Sequence, residues 1–85
     1  MQPDPYNNLA LAYLDQGRIA EATEMSLKAT SIKTDYVDGH LTRAAVLRKT
    51  NDLAGALTAY EHILAIDPGC VEAQYQRLIA RLTSL

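Results

Sequence analysis

The fold is decided by residues 51–68, which read NDLAGALTAYEHILAIDP. Asn51 and Asp52 are residues that favour a turn followed by the N-terminal cap of a helix. Apolar residues then recur at intervals of three and four, as they do along one face of an α-helix. Asp67-Pro68-Gly69 ends the segment, because a residue that precedes Pro disfavours the helical conformation and Gly permits a turn. We therefore predict a helix from Leu53 to Ile66.

The same periodicity predicts four further helices, and no segment alternates with the period of two that marks a strand. The first carries Tyr6, Leu9, Ala10 and Tyr13 on one face and ends at Gly17, with Asp4 as its cap and Pro5 in its first turn. The others run from Ile19 to about Lys33, from about Val37 to Lys49 with Thr34 or Asp35 as the cap, and from Val71 to Leu82. Five helices joined by short turns indicate an all-α protein of antiparallel neighbours.

The helices also repeat at an interval of 34 residues. Five positions keep their residue type under that shift, namely Asp4 and Asp38, Ala10 and Ala44, Ala20 and Ala54, Ala22 and Ala56, and Ile32 and Ile66. Alanine recurs where two helices must approach closely, and both copies break at the same place, at Gly17 and Asn51. Residues 71–85 begin the register a third time. Repetition at this period predicts a solenoid, in which each unit buries its apolar face on the next.

These motifs resemble the tetratricopeptide repeat, whose pattern is W-x2-L-G-x2-Y, then A-x3-F, then P. The first unit has Tyr6-x2-Leu9-Ala10-x2-Tyr13, and the second has Ala56-x3-Tyr60 followed by Asp67-Pro68. The resemblance implies helical hairpins stacked in a short right-handed superhelix of five helices. It implies one domain, residues 1–85, divided into repeats 3–36 and 37–70 and a C-terminal capping half-repeat, 71–85. Departures from the pattern are Ser26, Thr34, His40 and Arg43, which replace apolar residues or the proline and are expected to loosen the repeats locally.

Composition excludes several functional classes. The net charge is −2 and the pI is near 5.5, so the chain does not have the excess of basic residues that is typical of proteins that bind nucleic acids or anionic membranes. The longest apolar run, Leu9 to Leu14, is far shorter than the ~20 residues that span a bilayer. The chain starts without the basic and apolar regions of a secretory signal, and its single Cys cannot form an internal disulfide. We expect a cytoplasmic protein that binds neither nucleic acid nor membrane.

No catalytic or metal-binding constellation is present in the sequence. His40 and His62 are separated by 22 residues, and Cys70 has no neighbouring ligand. His40 occupies an aromatic slot of the repeat, so a packed imidazole is expected, whereas His62 is expected at the surface. Carboxylates are scattered singly, and neither a glycine-rich phosphate loop nor a nucleophile motif occurs. We predict a protein that is not an enzyme and that needs no cofactor or metal.

The resemblance implies that the first helix of each unit lines a concave groove, which takes a peptide or helix of a partner protein. The groove residues are expected to be Asn7, Leu11, Leu14, Leu41, Ala45, Arg48, Lys49, Tyr75 and Ile79. Arg48 and Lys49 suit either a solvated helix end or a contact with a partner's carboxylate. Family members that clamp a C-terminal carboxylate use Lys and Asn on the first unit, with further basic residues beyond. The matching places here hold Asn7, Leu11, Thr42, Glu72 and Gln76, so no such clamp is expected.

The last helix suggests a second function. This helix has a polar side, a side of small alanines, and a separate stripe of large apolar residues. The stripe consists of Val71, Tyr75, Leu78, Ile79 and Leu82. Ala73 and Ala80 are expected to rest on the preceding repeat, and Gln74, Arg77 and Arg81 to face the place of a missing partner helix. The stripe either tucks against Leu41 and Ala45, or forms a homodimer, or continues into a longer solenoid of which this chain is a piece.

Overall fold

The computed structural model describes residues 2–83, so residue 1 and residues 84–85 of the predicted domain lie outside the described part. Five helices follow one another: α1 (Asp4–Asp15), α2 (Ile19–Ile32), α3 (Val37–Lys49), α4 (Leu53–Ile66) and α5 (Val71–Thr83). No strand occurs between residues 2 and 83. The predicted number, order and approximate bounds of the helices are confirmed. None of these helices is long and apolar enough to cross a membrane.

The helices form two hairpins and a last single helix. α1 packs on α2, and α3 packs on α4, which makes each hairpin; α3 also packs on α2 and, less extensively, on α1. α5 rests on α4. Neighbouring helices in the chain are therefore neighbours in space, as a stack of repeats requires.

Small residues fill the contacts between helices. Of the three alanine pairs that recur at 34 residues, Ala10 with Ala44 and Ala22 with Ala56 are fully buried, whereas Ala20 and Ala54 are exposed. The largest fully buried side chains are Tyr60 and Ile63 of α4, which form a cluster with alanines of α3, α4 and α5. Because Ala has almost no side chain, the helix axes approach closely, and a core without Phe or Trp still packs.

The turn inside each hairpin has the same backbone geometry. Gly17 has φ +76° and Asn51 has φ +61°, which is the left-handed conformation that favours Gly and Asn. In both turns the following amide reaches back five residues, from Arg18 to the Tyr13 carbonyl and from Asp52 to the Leu47 carbonyl, each at 2.8 Å. These are the bonds of a Schellman motif, which satisfies the last carbonyls of a helix. The predicted break at Gly17 and Asn51 is confirmed.

The predicted helix caps are right at one helix and wrong at two. The Asp52 carboxylate accepts a hydrogen bond from the Gly55 amide at 2.9 Å and caps α4 as expected. The cap position of α1 is Pro3, not Asp4, and that of α3 is Tyr36, not Thr34 or Asp35; neither has a side-chain cap bond. Asp4 instead accepts a hydrogen bond from the Tyr36 hydroxyl at 2.6 Å. The Asp4 carboxylate, which the local sequence predicts as a helix cap, therefore binds a residue 32 positions away in the chain.

The inward face of α1 also differs from the prediction. Leu9 is 44% exposed, whereas Asn7 is buried beside Ala10. α1 packs against both α2 and α3, which turns the Asn7 side of the helix inward and leaves Leu9 toward solvent. The apolar periodicity alone indicates the helix but not this rotation.

Candidate functional site

A concave surface runs along α1 and α3, and we call it the groove. One depression in it is lined by Asn7, Asn8, Leu11, Asp38, Leu41, Thr42, Ala45, Arg48 and Glu72. A second, adjoining depression is lined by Leu14, Asp15, Ala45, Arg48 and Lys49. Ala45 and Arg48 belong to both, so the two depressions form one continuous surface.

Seven of the nine residues proposed for the groove from the sequence meet there: Asn7, Leu11, Leu14, Leu41, Ala45, Arg48 and Lys49. The other two, Tyr75 and Ile79, line neither depression; they lie on the exposed face of α5. The contribution of α5 to the groove is Glu72, at its N-terminal end, which the repeat register also places on the concave side.

Charge is divided between the two ends of the groove. Asp38 and Glu72 lie in the first turns of α3 and α5, and Arg48 and Lys49 lie in the last turn of α3. Leu11 of α1 lines the same depression as Asp38 and Arg48 and is 43% exposed. The surface is thus acidic at the start of α3 and predominantly basic at its end, and Glu72 of α5 lines the same depression as Arg48.

The basic end of the groove is supported by Tyr60 of α4, whose side chain is 1% exposed. Burial raises the pKa of Tyr60 and the charge of Glu72 raises it further, while the charge of Arg48 and a hydrogen bond with it act in the opposite direction. Two opposite charges that line the groove thus act on the same hydroxyl. The sequence gives no sign of this arrangement, because Tyr60 matches the repeat simply as a core aromatic residue.

Polar contacts between the two hairpins form one wall of the groove. The Thr42 hydroxyl donates to the Asn7 side-chain oxygen at 2.7 Å, and both residues are buried. The hydrogen bond from Tyr36 to Asp4 lies nearby and, together with burial, raises the pKa of Tyr36 to about 12. Asn7 borders the groove as expected, but its carbonyl oxygen is engaged inside the fold. We therefore assign Asn7 first to the contact between the repeats.

The apolar stripe of α5 is exposed. The exposed fractions are Val71 74%, Tyr75 61%, Leu78 57%, Ile79 38% and Leu82 62%. Ala73 and Ala80, on the opposite side of the helix, are buried, as predicted. Contacts with Leu41 and Ala45 therefore do not bury the stripe.

Gln74 and Arg81 on the polar side of α5 are exposed, and each also contacts the preceding hairpin or the turn after it. Gln74 donates from its amide to the Pro68 carbonyl at 2.7 Å, and Arg81 forms an ion pair with Glu61 of α4 at 3.6 Å. These residues help to hold α5 on the preceding hairpin. Among residues 2–83, nothing covers the apolar stripe.

The two histidines contact each other, which the sequence analysis did not predict. Their ring centroids are 4.7 Å apart with the planes 65° from parallel, and a His40 ring nitrogen lies 2.8 Å from the Thr34 carbonyl. His40 is half-buried and His62 is exposed, as expected. Across residues 2–83, no group of three or more His, Cys, Asp or Glu is arranged to hold a metal ion.

Comparison with known proteins agrees with this architecture. The profile of the tetratricopeptide repeat family matches residues 13–82. The TPR domain of Arabidopsis OM64 is similar with a TM-score of 0.86 and 22% identity, over 94% of this chain and 66% of that one. The first TPR of Spaghetti (RPAP3), solved with the HSP90 peptide SRMEEVD, gives a TM-score of 0.89 and 23% identity, over 96% and 67%. The chain thus spans about two thirds of each of these two domains. A search of curated proteins finds no match. The predicted all-α fold of stacked helical hairpins is confirmed.

Proposed function

Because the chain belongs to the tetratricopeptide repeat family, we propose that it is a non-catalytic protein-interaction module that binds a peptide or helix of a partner protein in its groove. The observation that carries the proposal is the groove itself, where the exposed Leu11 lines one depression together with charges of both signs. An apolar middle with a polar rim is the usual anatomy of a protein-binding surface. The Spaghetti domain, similar in fold, is solved with a peptide, which supports the same class of ligand here.

The charges of the groove define which peptides fit. A ligand that lies along α3 places one end near Asp38 and the other near Arg48 and Lys49. We expect a basic residue at the first end, apolar residues over Leu11, and an acidic residue at the second end, where Arg48 can form a charge-assisted bond.

An acidic C-terminal tail does not fit this pattern. The peptide SRMEEVD carries three acidic side chains in its last four residues. Asp38 and Glu72, which both line the groove, repel such a tail, and like charges in an interface are strongly unfavourable. The proposal therefore excludes a C-terminal carboxylate clamp, and we expect this peptide to bind at most weakly in a fluorescence-anisotropy titration.

A matched pair of leucine variants tests whether binding uses the groove. Peptides are selected on the wild-type protein from a display library, and their affinities are then measured for variants. Leu11→Glu and Leu27→Glu make the same change at residues that are 43% and 49% exposed, one in the groove and one on α2. We expect Leu11→Glu to abolish binding and Leu27→Glu to leave it unchanged, with both variants folded by circular dichroism.

A second pair tests the basic end of the groove. Arg48→Glu reverses a groove charge, and Lys28→Glu reverses an exposed charge on α2. Arg48→Glu is expected to weaken the selected peptides and to reduce the salt dependence of binding. Equal affinities for the groove variants and the α2 variants, or loss of binding only in the α2 variants, would refute the groove as the site.

A further inference from the structure

One face of α5 is apolar and exposed, although this helix ends the stack of described repeats. Among residues 2–83 there are eight exposed large hydrophobic side chains, and five belong to this face: Val71, Tyr75, Leu78, Ile79 and Leu82. A terminal helix that meets only water normally has a polar outer side. A contiguous apolar patch of this kind marks an interaction surface instead.

The face is poorly suited to another helix packed in the manner of the repeats. The slot that Ala10 and Ala44 occupy in the first two units, fully buried where paired helices approach, holds Leu78 in the third. Thirty-four residues after Leu47, the matching position holds Arg81, which is directed to Glu61 of α4. A sixth helix placed like α2 or α4 would therefore be held away by a large side chain and would meet a guanidinium group.

The spacing of the face fits a second copy of the same helix. Val71, Tyr75, Leu78 and Leu82 are separated by four, three and four residues, which is the spacing of the apolar seam in a coiled coil. The seam is also self-complementary: in one antiparallel register, Val71 lies opposite Leu82 of the second copy and Tyr75 lies opposite Leu78. A two-fold axis between residues 76 and 77 relates all of these contacts, as in an isologous dimer.

We propose that the chain forms a homodimer in which the α5 faces of two copies pack against each other in this antiparallel register. The arrangement alternates the large Tyr75 with the smaller Leu78, and it opposes the two helix dipoles. Along the flanks it sets Glu72 beside Ile79 and Gln74 beside Arg81 of the second copy, so no like charges meet.

The size of the face predicts a reversible dimer. The largest apolar patch on a monomer measures roughly 300–600 Å², and specific protein interfaces begin at about 1,200 Å² in total, counted over both partners. Two faces of five partly exposed side chains therefore reach at most the low end of that range. The dimer is expected to dissociate on dilution, and the proposal does not depend on what the groove binds.

Molecular mass in solution tests the dimer. In sedimentation equilibrium the wild type should rise from 9.3 kDa toward twice that mass as its concentration increases into the high micromolar range. Tyr75→Lys/Leu78→Lys should remain at the monomer mass. The matched control, Leu9→Lys/Leu27→Lys, changes two leucines of 44% and 49% exposure elsewhere and should dimerise like the wild type.

Three outcomes would overturn the dimer: a wild type that stays monomeric at every concentration, a control that dissociates equally, or loss of helix content in the α5 variant. The last result would mean that the face belongs to the core of its own chain. The more exposed pair, Val71→Lys/Leu82→Lys, repeats the test at the ends of the seam, where a change affects the fold least.

Disulfide trapping tests the orientation. In a Cys70→Ser background, Val71→Cys and Leu82→Cys proteins are oxidised separately and as a mixture. Val71 and Leu82 are eleven residues apart, about 16 Å along a helix. The antiparallel dimer therefore cross-links only in the mixture, between the two different variants. Cross-linking of each variant with itself indicates parallel helices and refutes the proposed register.

Discussion

The left-handed residue that ends α1 offers a clean test of how the hairpin turns are made. Gly17 has φ +76°, and a Cβ atom placed on it meets no heavy atom within 4 Å. Gly17→Ala therefore adds a methyl group to open space, and its cost comes from the backbone conformation alone. For an L-residue that cost is about 1–2 kcal/mol, and each 1 kcal/mol lowers the melting temperature of a domain this size by roughly 4–8 °C.

The equivalent position in the second repeat predicts the opposite effect. Asn51 already has φ +61°, so Asn51→Gly relieves strain and should stabilise the domain, by less than ~1 kcal/mol because Asn tolerates this conformation. Gly69 is the control, since its φ lies outside the left-handed region and its Cβ would make only an ordinary contact with Asp67. Gly69→Ala is expected to change stability by no more than about 0.5 kcal/mol.

Thermal and urea unfolding, followed by far-UV circular dichroism, measure all three variants. We expect Asn51→Gly to be the most stable protein and Gly17→Ala the least stable, with the wild type and Gly69→Ala equal between them. Equal destabilisation by Gly17→Ala and Gly69→Ala would refute the argument, because the loss would then come from helix ends in general. A lower midpoint for Asn51→Gly would refute it as well.

Three other predictions concern the packing of the hairpins and their ends. Ala56→Leu should destabilise the domain by about 1–3 kcal/mol through overpacking, whereas Ala65→Leu, at an exposed position of the same helix, should be nearly neutral in the same unfolding assay. Asp52→Ala should cost about 1 kcal/mol by removing the α4 cap, and Asp35→Ala, which has no cap bond, should cost much less. The raised pKa of Tyr36 means that the fold favours its neutral hydroxyl. The contribution of Tyr36 to the free energy of unfolding is therefore complete below pH 10 and is lost as the pH rises toward 12. The urea midpoint should fall over that range less steeply in Tyr36→Phe; equal slopes would contradict the role of this bond.

Local signals in the sequence were sufficient for the helices and their turns. The periodicity of the apolar residues and the breaks at Gly17, Asn51 and Pro68 depend on a few neighbouring residues, so they can be read without the fold. The cap at Asp52 belongs to the same class. Asp4 shows the limit of such reasoning, because its carboxylate is a good cap locally but is taken by Tyr36, 32 residues away.

The groove was predictable in outline because the repeat register carries it. α1 and α3 are equivalent helices, so Leu11 and Ala45, 34 residues apart, follow one another along the same surface. The register does not carry the hydrogen bond between Thr42 and Asn7 or the position of Tyr60 beneath Arg48, since these contacts join helices with different roles.

The sequence by itself determined that this chain folds into five helices stacked at a 34-residue period, because helix periodicity and small residues at repeated contacts are local properties. Only the tertiary structure decided the rotation of α1 and the exposure of the apolar stripe on α5. Asn7 is buried and Leu9 exposed because α1 packs on two helices at once, and the five apolar residues of α5 face solvent because Ala73 and Ala80 rest on α4. The rotation of a helix about its axis depends on all of its neighbours together, and no single stretch of sequence contains them.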